Sequence, residues 1–263
     1  MNNSFINAFW ASVAFLLLTV SLSHADKAWD QYLALNPSQR VQYKGAEQSR
    51  KGAIDPAKQD KDGATQTLMS QVLANAGDSS VLGTTSQILG DIKTIDGAEE
   101  VFWRSISGFL APTQVAKIFL KWHQPKNAQA PPAAPKMPMP NPAPKFDWNG
   151  YFGFTKDLQT QLKAADQAKN TQMKTDRDNQ ESSLGQLAQQ VQSNAGDGPI
   201  QMTLTSIFSI IEDEHHVEQA FWGTTLPGFL SPTQLAKLYL HRHAPKGGFN
   251  PPAQGGPFRL LTH

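Results

Sequence analysis

The segment GFLAPTQVAKIFLKWHQPK, Gly108 to Lys126, returns as GFLSPTQLAKLYLHRHAPK, Gly228 to Lys246, with 12 of 19 positions identical. A catalytic centre is built once per domain, whereas a packing unit or a binding surface gains by repetition, so the duplication constrains architecture before chemistry. Shifting the chain by 119 residues extends the match upstream. Trp29 and Tyr32 fall on Trp148 and Tyr151, Leu68 and Val72 on Leu187 and Val191, Asn75-Ala76-Gly77-Asp78 on Asn194-Ala195-Gly196-Asp197, and Phe102-Trp103 on Phe221-Trp222. One extra residue enters the second copy between Trp222 and Gly228, and the shift then becomes 120.

The spacing within each copy is helical. Ile88, Leu89, Ile92 and Ile95 recur at i, i+1, i+4 and i+7, Ile207, Phe208 and Ile211 repeat the pattern, and no strand alternation competes. This predicts a helix over roughly Ser80 to Ser107. Helix-forming segments begin near Gln42 and Leu158, and the Gly of each Asn-Ala-Gly is expected just past a helix C-terminus. The reading is an all-α chain of two tandem homologous units, 26–126 and 146–246, of about four helices each. Between them, 127–145 is proline-rich: the stretch from Gln124 to Phe146 holds eight of the chain's 18 prolines, which reads as an extended tether. Each unit is therefore expected to fold alone, and 247–263 forms a Gly- and Pro-rich tail.

In the second copy, Ser231-Pro232-Thr233-Gln234 has the form of a capping box, with Ser at N-cap, Pro at the first helical position and Gln three residues on. Ala111 stands where Ser231 does, so the first copy lacks the capping hydroxyl. The helix that follows presents Leu235, Leu238 and Tyr239, or Val115, Ile118 and Phe119 with Trp122 a turn on, and stops before Pro245 or Pro125. Two uses of this segment stand side by side. It is a corner that closes each unit, or it is an exposed apolar strip for partners. The second reading takes Phe102, Trp103, Phe109, Leu110, Ile118, Phe119, Trp122, Phe221, Trp222, Phe229, Leu230, Leu238 and Tyr239 as partner-binding.

Leu110-Ala111-Pro112-Thr113-Gln114 and Leu230-Ser231-Pro232-Thr233-Gln234 resemble the LTxxQ motif of the Spy/CpxP family of periplasmic proteins, which also carry it twice in an exported, all-α chain. The motif's Thr is here Ala111 or Ser231. The resemblance implies a helical cradle, often dimeric, that holds unfolding proteins without ATP and takes part in envelope stress responses, some relatives being linked to zinc or other metals.

Export is also expected from the first residues. Ala8 to Val20 is apolar except for Ser12 and Thr19, and Ser23-His24-Ala25 places small residues where a signal peptidase reads, so 1–25 is taken as a leader and the mature protein as periplasmic or otherwise exported, without a stable membrane anchor. The absence of cysteine excludes a disulfide framework and a thiol nucleophile. A net charge of +1 with scattered Lys and Arg argues against nucleic acid as a partner. No nucleophile elbow, phosphate loop or HExxH occurs, so neither enzyme activity nor a cofactor is expected. The expected function is a non-enzymatic binding protein for unfolded or envelope proteins, of chaperone or envelope-stress type. Two alternatives are kept: a periplasmic metal sensor or buffer using Glu212, Glu214, His215, His216, His241 and His243, and a structural envelope scaffold.

Overall fold

A computed structural model describes residues 29, 31–123 and 147–243. The expected leader, spacer and tail lie outside those residues. The described chain is all-α: α1 (Pro37–Leu73), α2 (Asp78–Ser107), α3 (Pro112–His123), the short α4 (Trp148–Phe152), α5 (Lys156–Gln192), α6 (Asp197–Ala220) and α7 (Pro232–His243), with no strand among the described residues. None of these helices is long and apolar enough to cross a membrane.

Each helix starts and stops for local reasons. Asn36 and Gln39 form a reciprocal capping box that opens α1, and the Thr155 hydroxyl accepts from Leu158 N–H to open α5. Both 37-residue helices, about 55 Å long at 1.5 Å per residue, end in a Schellman motif. Ala76 N–H donates to Gln71 O and Asn75 N–H to Val72 O, with the same bonds from Ala195 to Gln190 and Asn194 to Val191. The αL residue that closes each motif is Asn75 or Asn194, at φ 52°, and not the glycine two residues on, which has φ −64° at Gly77 and φ 84° with an extended ψ of 166° at Gly196. That corrects the expectation from the Asn-Ala-Gly pattern. Asparagine tolerates this region because its short polar side chain bonds locally, which frees Gly77 and Gly196 to sit two residues on as the N-caps of α2 and α6.

The extra residue of the second copy has a visible destination. In the first half α2 runs unbroken to Ser107, whereas α6 gives way at Phe221–Thr225 to a π turn and then to a 3₁₀ turn at Leu226–Gly228. A π turn absorbs one inserted residue without abandoning the helix axis. The chain therefore returns to the common register at Gly228.

Helices α1 and α2 form one antiparallel hairpin, and α5 and α6 form another. The third helix of each half leaves its own hairpin and packs on the other. Helix α7 contributes Leu235, Leu238, Tyr239 and Leu240 to a cluster with Leu68, Val72, Val81 and Ile88 of the first hairpin. Reciprocally, α3 contributes Val115, Ile118 and Phe119 to a cluster with Leu187, Ile200, Leu204 and Ile207 of the second. Polar bonds repeat the exchange. Thr113 N–H and Oγ1 donate to Asp197 Oδ1 at 3.1 and 2.7 Å, and Thr233 N–H and Oγ1 donate to Asp78 Oδ1 at 3.2 and 2.5 Å.

Where the hairpins meet, residues related by the 119 shift touch one another: His215 Nε2 lies 3.8 Å from Asp96 Oδ1, His215 Nδ1 lies 3.5 Å from Glu100 Oε1, and Gln219 Nε2 donates to Asp96 Oδ2 at 3.1 Å. Such i-to-j and j-to-i contact is the arrangement of a two-fold interface. The halves thus share both hydrophobic clusters, against the expectation that each folds alone. Each buried Val, Ile, Leu or Phe of α3 and α7 contributes about 1.5–3 kcal/mol. The exposed Thr–Asp bonds contribute less and set the register.

Cutting the chain at a protease site inserted into 127–145 should leave the two halves eluting together as a 1:1 complex, and the intact chain should unfold in one cooperative transition. Halves that separate by size-exclusion chromatography without denaturant would contradict a shared core.

Candidate functional site

The duplicated segment does three things at once. Its threonine reaches across to the other half, as above. Its glutamine reaches back to its own half: Gln114 Nε2 donates to Leu33 O and Ala34 O at 3.0 and 3.3 Å, and Gln234 Nε2 donates to Gly153 O at 3.0 Å. Ala34 and Gly153 are the left-handed residues of equivalent turns, at φ 51° and 68°. Its lysine closes the same turn, Lys117 donating to Tyr32 O and Lys237 to Tyr151 O at 3.1 and 2.9 Å, each ammonium lying over the tyrosine ring. Ser231 Oγ accepts from Gln234 N–H at 3.3 Å while Gln234 Oε1 accepts from Ser231 N–H at 3.1 Å, completing the capping box. In the first half only the glutamine arm exists, Ala111 N–H donating to Gln114 Oε1 at 2.9 Å, and Gln114 N–H donates to Ala111 O.

Ten of the thirteen residues expected to bind partners are buried: Phe102, Trp103, Leu110, Ile118, Phe119, Phe221, Trp222, Leu230, Leu238 and Tyr239. Phe109, Trp122 and Phe229 are half-buried. The thirteen therefore form the interior and its margins and not an exposed strip. Phe102 stacks on Trp122 at 5.0 Å, and Trp222 meets Tyr239 edge-on at 5.4 Å.

What remains accessible are clefts beside these aromatics. A groove of about 650 Å³ runs between α1 and α2, lined by Ala46, Arg50, Ala53, Gly97, Ala98 and Val101 over Phe102. Two further clefts lie at the seam of the halves. One, of about 350 Å³, is bounded by Trp103, Arg104, Phe208 and Glu212; the other, of about 450 Å³, by Leu89, Lys93, Trp222, Gly223, Tyr239 and His243. Sequence reasoning did not single out Arg50, Gly97, Val101, Lys93 or Gly223. Gly97 carried a signal, since a glycine inside a helix costs roughly 0.5–1 kcal/mol against alanine, yet a Cβ there would meet nothing within 4 Å.

The charged groups are mostly tied down. Arg50 makes a bidentate pair with Glu99, both bonds 2.8 Å, with its guanidinium over Trp122. At the equivalent place Glu218 accepts from Lys169 Nζ at 2.7 Å and Trp222 Nε1 at 2.8 Å. Burial pushes the Glu218 carboxyl up, but those two bonds and the charges of Lys169 and His243 outweigh it and leave its pKa below the ordinary carboxylate value. Burial, with Asp62 adding to it, pushes the Tyr239 phenol up to about 12. The second hairpin also carries Asp176 buried and bonded to Gln172 Nε2, where the first has Ala57.

Of the residues considered for metal, the His241 ring lies against Trp148, the His243 ring stacks on Tyr239, and His215 sits between Asp96 and Glu100. Among the described residues no three metal-ligating side chains converge.

Two predictions follow from the clasp and its histidine. Ala111→Ser should add the missing cap and stabilise the chain by about 0.5–2 kcal/mol in denaturant unfolding, and Ser231→Ala should cost a similar amount. Burial first, then the cations Lys169, Arg242 and Lys61, against the opposing charge of Glu218, hold His243 below the ordinary histidine pKa of 6.5. The unfolded chain therefore takes up this proton more readily, so the stability His243 contributes is present above about pH 6.5 and is lost as pH falls below it. Thermal midpoints should drop between pH 7.5 and 5.5, and less steeply in His243→Gln; equal slopes would remove His243 as a source.

No protein-family model, no curated protein and no solved structure matches this chain.

Proposed function

We propose that the protein is an exported, non-enzymatic binding protein whose α1–α2 groove takes a segment of an unfolded or partly unfolded envelope polypeptide. One observation carries this reading: an apolar groove of about 650 Å³ opens between the two helices of the first hairpin, with a glycine inside a helix, Gly97, on its wall. Gly97, Ala98, Ala46 and Ala53 line it, a Cβ on Gly97 would meet nothing within 4 Å, and Val101 is 64% exposed at its edge. In the second hairpin the positions of Gly97 and Ala53 hold the larger His216 and Gln172.

The likeness of the two PTQ segments to the LTxxQ motif supports an envelope role. The mode of binding differs from the one expected, because the motif and its aromatics serve as an internal clasp and the accessible apolar surface lies beside them. Of the histidines considered for metal, His241 and His243 pack on aromatic rings and His215 pairs across the halves.

A photo-crosslinking residue at position 101 should capture denatured client protein, and the full chain should suppress the light scattering of an aggregating client near stoichiometric amounts. Gly97→Leu should fill the groove without strain, leave the thermal midpoint unchanged or higher, and abolish both effects. Undiminished suppression by Gly97→Leu would rule out the groove; no suppression by the wild type would rule out the chaperone reading and leave the scaffold.

A further inference from the structure

The two seam clefts are counterparts, each walled by the tryptophan end of one hairpin and the middle of the other hairpin's second helix. The chain therefore supplies its own comparison. In the first cleft the phenyl ring of Phe208, from α6, stacks on Trp103 with centroids 5.6 Å apart and meets Phe119 edge-on at 5.5 Å. At the equivalent position in the second cleft stands Leu89, and the ring neighbours of Trp222 among the described residues are Phe221, Tyr239 and His243 of its own half. The residue after the tryptophan is Arg104 in the first and Gly223 in the second, and a Cβ on Gly223 would meet nothing within 4 Å. Removal of these two large side chains accompanies the growth from about 350 to about 450 Å³.

Charge changes with shape. Glu212 of the first cleft is replaced by Lys93 in the second. The other charges there are engaged: Glu218 by Lys169 and Trp222, Asp96 by Gln219. Lys93 makes no hydrogen bond or ion pair with the described residues, and Lys61 lies beyond Tyr239 and His243 in an adjoining recess of about 510 Å³. The π turn at Phe221–Thr225, a feature that recurs at functional sites, carries both Trp222 and Gly223.

We infer that the second cleft binds a small aromatic anion, a one- or two-ring aryl carboxylate, whose ring occupies the place that Phe208 fills in the first cleft and whose carboxylate meets Lys93. The rim ion pair is exposed and selects the sign of the ligand, while burial of the ring between Leu89, Ile92 and Tyr239 supplies most of the affinity. This site is separate from the α1–α2 groove and does not depend on it.

The test is calorimetric titration of the full chain with 1-naphthoate and with its neutral amide. The expected result is saturable 1:1 binding of the acid, about ten-fold or more tighter than the amide at low salt. Leu89→Phe, which copies the side chain of the other cleft, should abolish binding of both ligands without lowering the thermal midpoint. Lys93→Glu should weaken the acid about ten-fold and leave the amide unchanged. No saturable heat with either ligand at millimolar concentration, or binding that survives Leu89→Phe, would overturn the site. Equal affinity for acid and amide in the wild type would overturn its preference for an anion.

Discussion

The exchange of α3 and α7 between the two hairpins is the constraint from which the rest of the structure follows. A two-helix hairpin of this size has one apolar face and nothing of its own to cover it. The third helix of each half is short, 12 residues, and would be marginal in isolation. Packing each short helix on the opposite hairpin covers both faces at once, and the Thr113–Asp197 and Thr233–Asp78 bonds fix how deep each helix sits. The glutamine and lysine of the same segment then pin the turn that leads into their own half, so a single turn of helix joins three parts of the chain.

Against that exchange, the differences between the halves become informative. Positions that make the clasp are kept in both: Thr113 and Thr233, Gln114 and Gln234, Lys117 and Lys237. Positions beside it have diverged. Trp122 beside Arg50 becomes Arg242, which pairs with Asp166 and lies over Phe221 and Trp222. Gly97 becomes His216, Phe208 answers to Leu89, and the two seam clefts differ in both shape and charge although the halves share one fold.

What could be read in advance was local. The Ser231 cap, the helix starts at Pro112 and Pro232, and the apolar face of Leu235, Leu238 and Tyr239 all depend on residues within about two turns of each other. The partner of that face was not legible, because a 3.6 period says which side is buried and is silent on what covers it. The proline-rich spacer pulled the reading toward two separate cores, although a tether long enough to separate halves is equally long enough to let them interlock. The left-handed role of Asn75 was hidden by Gly77 two residues on, the stronger signal of the two. Clefts made by Gly97 or Gly223 were invisible for a related reason: a missing side chain marks open space only when its neighbours in three dimensions are known.

The shared cores also bear on the order in which the chain becomes stable. A chain emerges from a ribosome, or through a translocation pore, from its first residue to its last. When α3 is complete, the hairpin it must cover has not yet emerged, and the first hairpin waits for α7, which ends only at His243. Nearly the whole sequence must therefore be present before either apolar face is closed, so the stabilising contacts are long-range and come late. During synthesis the first hundred residues behave as an unfinished object, one that a translocation machine could thread without first having to unfold it.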